Sequence, residues 1–262
     1  MMRSLLVRGM LAGLIAGVLA FVFAYLFGEP SVNSAIGIEE AGSAAHSHTH
    51  DPAAGQGTGE AAQPAEEPEE ELVPRDIQST VGLLTGVLVY GVAIGGLFSL
   101  AFAFVYGRIG SLRPRVTTAL LTAGAFGVVF FVPFLKYPAN PPAVGQPGTI
   151  GERTELYFGF VAVSLLAGIL ATVFGRKLAD RLGAWRGGLL ACAGYVVVMA
   201  VVAWLMPVID EVPPTFPAST LWSFRTASMG TQVTLWLTLG LCFGFFAEKV
   251  LKPSQKAVAA AV

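Results

Sequence analysis

The chain has 262 residues, 54% of them hydrophobic and only 13% charged. A soluble domain carries nearer a quarter charged residues, so a water-covered globular fold is excluded. A formal net charge of -1 also excludes a nucleic-acid binder, which needs a basic surface. The two cysteines, Cys192 and Cys242, lie in apolar runs and make no disulfide framework.

Crossing a bilayer takes about 20 mostly apolar residues in one helix, and six stretches qualify. In chain order they are Leu5 to Phe27, Thr80 to Tyr106, Val116 to Leu135, Leu156 to Phe174, Gly187 to Pro207 and Met229 to Phe246. Apart from Arg8, none contains Asp, Glu, Lys, Arg or His. Backbone polar groups inside lipid must bond to one another, so all six read as helices. The first is longer than the h-region of a signal peptide, about 7–15 residues. Gly9, Gly13 and Gly17 recur along it at helical spacing as a packing stripe. It is therefore expected to be a retained helix. Gly82, Gly86, Gly91 and Gly95 in the second stretch, and Gly240 and Gly244 in the sixth, make similar seams. They predict a tight bundle, or seams for partner helices.

Orientation follows from the basic residues. Arg3, Arg8, Arg108, Arg113, Arg115, Arg176, Lys177, Arg181, Arg186, Lys249, Lys252 and Lys256 fall on one side, which is 12 of the 16 Lys and Arg. Of the 17 acids only Asp180 and Glu248 share that side. The predicted fold class is an all-α polytopic membrane protein, a bundle of about six helices with both termini cytoplasmic. Helix 1 covers 1–27, an extracytoplasmic loop 28–79, a five-helix bundle 80–247 and a cytoplasmic tail 248–262.

The outer loop 28–79 opens with Glu29-Pro30, predicted to end helix 1. Ala35, Ile36 and Ile38 beside Glu39 and Glu40 then read as a short amphipathic segment along the membrane surface. Residues 51–74, rich in Gly, Pro and Glu, read as a disordered linker. Between them stand the chain's three histidines, His46, His48 and His50. Neutral imidazole is a ligand for Co, Ni, Zn and Cu alike. The tract is either a flexible chelator or an incidental polar stretch. Ordering it would cost about 1–2 kcal/mol per residue, which argues against a preorganised site.

Asp210 and Glu211 sit just outside helix 5, with Arg225 as a potential ion-pair partner of either. They are either helix-end charges in headgroup water or, with Glu29, Glu39 and Glu40, part of an acidic vestibule that concentrates cations. Inside the membrane the polar candidates are Thr85, Ser99, Thr122, Ser164, Thr172, Gln232, Thr234 and Thr238. Cys192 and Cys242, with Met199 and Met206, are soft enough to ligate a late transition metal, but such residues more often pack. No P-loop, H-E-x-x-H, G-x-S-x-G or Cys-rich zinc spacing occurs. The chain is therefore expected to be no enzyme, to carry no resident cofactor and to bind no nucleotide.

Several short motifs in order carry a resemblance. They are Glu29-Pro30-Ser31-Val32-Asn33-Ser34-Ala35-Ile36 with Glu39-Glu40, then Pro141-Pro142 through Pro147-Gly148 to Gly151-Glu152-Arg153-Thr154. The run from Pro207-Val208-Ile209-Asp210-Glu211-Val212-Pro213 through Leu221-Trp222-Ser223-Phe224-Arg225 completes them. With these the chain resembles the CbtA family of predicted cobalt-transporter membrane subunits. The resemblance implies a multi-pass protein of the bacterial inner membrane, taking part in Co2+ uptake linked to cobalamin synthesis. It also implies a small single-span partner bearing histidines. Ala143 stands where many members have Glu, and six spans stand where five are usual.

The expected function is thus the membrane subunit of a divalent transition-metal uptake system, cobalt foremost. His46, His48, His50, Glu29, Glu39, Asp210 and Glu211 are its candidate metal contacts. The alternative is a non-transporting scaffold tethered by the outer loop, working with a partner or a second copy. Metal accumulation separates the two.

Overall fold

The computed structural model describes residues 2–47, 73–108 and 112–259. His48, His50 and the acidic linker 51–72 lie outside the described residues, as do the side chains of 43–47, 147 and 252–259. The described residues are helical between short connections and contain no strand. Six helices are long and apolar enough to cross a bilayer, as the hydropathy pattern predicts.

The first, α1, runs through Met2–Phe23, a π-helical turn Ala24–Gly28 and Glu29–Ser47. The second, α2, spans Arg75–Val105 with a π turn at Gln78–Gly82, and α3 spans Pro114–Lys136 with a π turn at Phe126–Phe131. Then come α4 (Ile150–Leu182), α5 (Ala184–Leu205) and α6 (Ala218–Ala259).

Pro30 was expected to stop α1, and it does not. Proline lacks an N–H and crowds the carbonyl four residues earlier, here that of Leu26, which lies inside the π turn. The wide turn takes up the mismatch and the helix continues. Pro133 repeats the arrangement, its fourth preceding residue Val129 lying in the π turn of α3.

A four-helix body forms from α1, α2, α3 and α6, with α1 packed on α2 and α6, and α3 on α6. Its core holds Leu5, Ala12, Ala16 and Ala20 of α1, Phe98 and Phe102 of α2, and Leu235, Leu239 and Phe243 of α6. The Phe243 ring meets Phe98 and Phe102 edge-on at 5.4 and 5.1 Å, a favourable arrangement of ring quadrupoles. The hairpin α4–α5 turns at the single residue Gly183, whose φ of 85° suits glycine. It leans on the body chiefly through the π turn of α3. There the Ser164 hydroxyl donates to the Val128 carbonyl at 2.6 Å and lies 2.7 Å from the Tyr195 hydroxyl. Hydroxyls commonly satisfy carbonyls freed by irregular helix turns at membrane depth.

The two ends of the bundle differ in charge chemistry. At one end Arg8 donates to the Phe246 carbonyl at 3.0 Å, and Arg115 pairs with Glu248. This is the end the basic residues predict to be cytoplasmic. Glu29, Arg75, Lys136, Arg153, Glu211 and Arg225 gather at the opposite end.

Candidate functional site

Three segments build a polar cap at that second end: the extension of α1 beyond Glu29, the α3–α4 connection 137–149 and the α5–α6 connection 206–217. Ala35, Val144 and Phe216, one from each, form a small buried cluster flanked by Ile38, Ala143, Val212 and Leu221. The segment expected along the membrane surface instead stands on the two outer connections. Its apolar residues find a protein partner there and need no lipid.

Hydrogen bonds and ion pairs then fix the cap. Lys136 Nζ donates to the Met206 carbonyl at 3.0 Å, and the Tyr137 hydroxyl to that of Pro207 at 2.9 Å. On α6, Arg225 donates to Asn140 Oδ1 at 2.9 Å and to the Ala139 carbonyl at 3.3 Å. Asp210 lies within electrostatic reach of the same guanidinium. On the α1–α2 side, Arg75 pairs with Glu29 and donates to Asn33 Oδ1 at 3.1 Å. All four cations of the outer end, Arg75, Lys136, Arg153 and Arg225, are therefore engaged.

Glu211 links the two connections. Its carboxylate accepts from the Gln146 N–H at 3.0 Å and lies 3.4 Å from Arg153 Nη1. The turn before α4 brings these donors to it. Gly145, at φ 117°, leaves room for the Arg153 guanidinium where any side chain would collide. The Thr149 hydroxyl, the Gln146 N–H and Arg153 hold the Glu211 carboxyl below the ordinary carboxylate range, against the opposing effect of burial. The lowered value fixes the sign of the pH effect. The link is complete above the ordinary carboxylate range and is lost as pH falls through the lower folded value. Acidification below about pH 4.5 should loosen the cap in the native chain, read at each pH as faster hydrogen exchange of the Gln146 amide relative to its intrinsic rate. A Glu211→Gln chain should show a smaller pH dependence at that amide. Equal protection of both chains across the range would contradict this role.

The structure does not bring the seven sequence-predicted metal contacts together. Glu29 is held by Arg75 and Glu211 by Arg153. Of the two acids the sequence offered to Arg225, Glu211 pairs with Arg153 instead, and Asp210 lies within electrostatic reach of Arg225, whose hydrogen bonds go to Asn140 and Ala139. Glu39 is exposed further along the extension of α1, and His46 lies in its last turn. His48 and His50 are outside the described residues. Among the described residues no three of His, Cys, Asp and Glu are grouped to hold an ion. Cys192, exposed on α5, and Cys242, half-buried on α6, are free thiols.

Several residues of the cap were not evident in the sequence, namely Asn33, Asn140, Gln146 and Thr149. The available signal was the scarcity of outer cations: four among so many acids implies an assigned partner for each. At membrane depth the same holds for Tyr90, Tyr157 and Tyr195, which the polar inventory omitted because tyrosine reads as apolar.

Six spanning helices with a polar, ion-paired cap at one end define a multi-pass α-helical membrane protein. The chain belongs to the CbtA family: the model of that family, described as a probable cobalt transporter subunit, matches residues 2–248. No curated protein and no solved structure matches the chain. The family description names a subunit, and so a membrane metal-transport role within a complex.

Proposed function

We propose that this protein is the membrane-embedded subunit of a divalent transition-metal uptake system, with Co2+ as the cargo, in the inner membrane of a bacterium. The match to a cobalt-transporter family over nearly the whole chain carries the reading. The cap faces the periplasm, as the basic residues at the opposite end require. His46, His48 and His50 with Glu39 gather the ion. Asp210, Glu29 and Glu211 contribute negative potential and hold the shape of the cap. A small single-span subunit completes the system, and the imported metal supplies cobalamin synthesis.

The test is the metal content of native cells with and without the gene, measured for cobalt, nickel and zinc. Cobalt content should fall several-fold on deletion and return on complementation. Replacing all three histidines by alanine should raise the external cobalt needed for half-maximal uptake by about tenfold, which corresponds to ~1.4 kcal/mol of lost capture. Equal cobalt content with and without the gene would refute the reading.

A further inference from the structure

Between α3 and α6 an apolar groove of about 480 Å³ opens onto the membrane. Its floor is the contact of Gly240 with the Thr122 side chain. Ala119 and Ala123 of α3, both exposed, keep one wall low, and Leu237, Leu241 and Phe245 of α6 form the opposite rim. The groove runs from Arg115, in the first turn of α3, to Phe126 and Trp236, halfway along the two helices.

Length and volume select the occupant. From Arg115 to Phe126 is about 17 Å at ~1.5 Å per residue, and a helix ~10 Å wide would need about 1,300 Å³ over that length. An extended hydrocarbon chain, ~4 Å across at carbon–carbon contact distance, takes about 200 Å³. The groove therefore holds the paired chains of one phospholipid and is too narrow to seat a helix.

The mouth selects the headgroup. Arg113, Arg115 and Lys249 are exposed cations at this end, and Glu248 is the acid beside them, its side chain 14% exposed. Arg115 pairs with Glu248 through Nε, but its side chain is 60% exposed, and a guanidinium has more N–H donors than one carboxylate can take. Lys249 Nζ stands 4.2 Å over the Phe245 ring on the rim. Arg113 makes no side-chain cap to the N-terminus of α3, so the positive end of that helix adds to the attraction for an anion. An excess of cations favours a headgroup of net negative charge over a zwitterionic one.

We propose that the α3–α6 groove binds one anionic phospholipid of the leaflet at the basic end, its phosphate at Arg115 and its acyl chains running to Trp236. The lipid fills the side of α3 that α6 leaves open, since α3 packs on the four-helix body chiefly through α6. The site does not depend on the identity of the cargo.

Trp236 reads the site, because it is 4% exposed and lines the deep end of the groove. The full-length chain, with Trp185, Trp204 and Trp222 replaced by phenylalanine, is reconstituted in phosphatidylcholine vesicles. Phosphatidylglycerol brominated near the middle of its chains should quench Trp236 at about one fifth of the mole fraction that equally brominated phosphatidylcholine requires, the equivalent of ~1 kcal/mol from one basic residue. Arg115→Gln should make the two lipids equal. Ala119→Phe, at an exposed position, should obstruct the groove and remove most of the quenching by either lipid, so the site stays testable if Arg115→Gln fails to fold. Equal quenching by the two lipids with Arg115 in place, or a preference for phosphatidylglycerol unchanged in Arg115→Gln, would overturn the site. So would the absence of quenching by either lipid, which would leave the groove to a protein partner.

Discussion

Gly13→Ala should cost the protein about 3 kcal/mol, at the upper end of overpacking penalties. The added Cβ would fall on the carbonyl oxygen of Gly91 and within 3.1 Å of Gly95 Cα. Gly9 meets Gly95 and Ser99 in the same way, and Gly17 meets Val87 and Leu88 at 3.1–3.2 Å. Backbone lies against backbone along the whole α1–α2 seam, and neither chain has a flexible end to move aside. Nor can α1 retreat, because Ala12, Ala16 and Ala20 are fully buried in the core it shares with α6. In lipid such contacts rest on dispersion at close approach, since no water is released. Gly86 is the control, because nothing lies within 4 Å of an added Cβ there. Gly86→Ala should gain up to ~1 kcal/mol from helix propensity alone. Thermal unfolding in detergent should separate the two substitutions in opposite directions. Equal melting temperatures would mean the seam is not close-packed.

Removing Arg75 should be nearly as damaging, and the damage should be repairable. Its guanidinium joins the outer ends of α1 and α2 by pairing with Glu29 and bonding Asn33. The Glu29 side chain is only 12% exposed and that of Arg75 29%. The pair thus sits between the exposed kind, worth ~1 kcal/mol or less, and the buried kind, where loss of one partner costs ~3–5 kcal/mol. Arg75→Ala should therefore cost about 2–3 kcal/mol, because it strands a carboxylate at the membrane boundary. Glu29→Gln in the same chain should recover at least half of that. A double change as damaging as the two single changes added together would show that the residues act independently.

The six spans were readable because hydropathy records which residues face lipid. Helix ends were not, since a helix that leaves the bilayer keeps its own hydrogen bonds and can continue in water. So Pro30 was read as a stop and the α1 extension as a surface segment. Nothing in a local sequence shows that a π turn will absorb a proline, or that Val144 and Phe216 will cover Ala35. The glycine seams were half legible. Gly9, Gly13, Gly17, Gly91 and Gly95 form one intramolecular contact, whereas Gly82 and Gly86 meet no other helix. Periodicity identifies small residues but not what stands opposite them. At the cap, the acids were visible and their partners were not. Glu211 is 58 residues from Arg153 and Glu29 is 46 from Arg75, separations that only the folded bundle closes.

The proposed uptake role requires the ion-paired cap to face out of the cell. A chain with Cys192 and Cys242 replaced by alanine and Ser34→Cys introduced on the exposed face of the α1 extension offers the direct measurement, labelling by a membrane-impermeant maleimide. Labelling in intact spheroplasts, unchanged when the membrane is then opened, is the predicted result. Labelling only after the membrane is opened would place the cap in the cytoplasm and contradict the account.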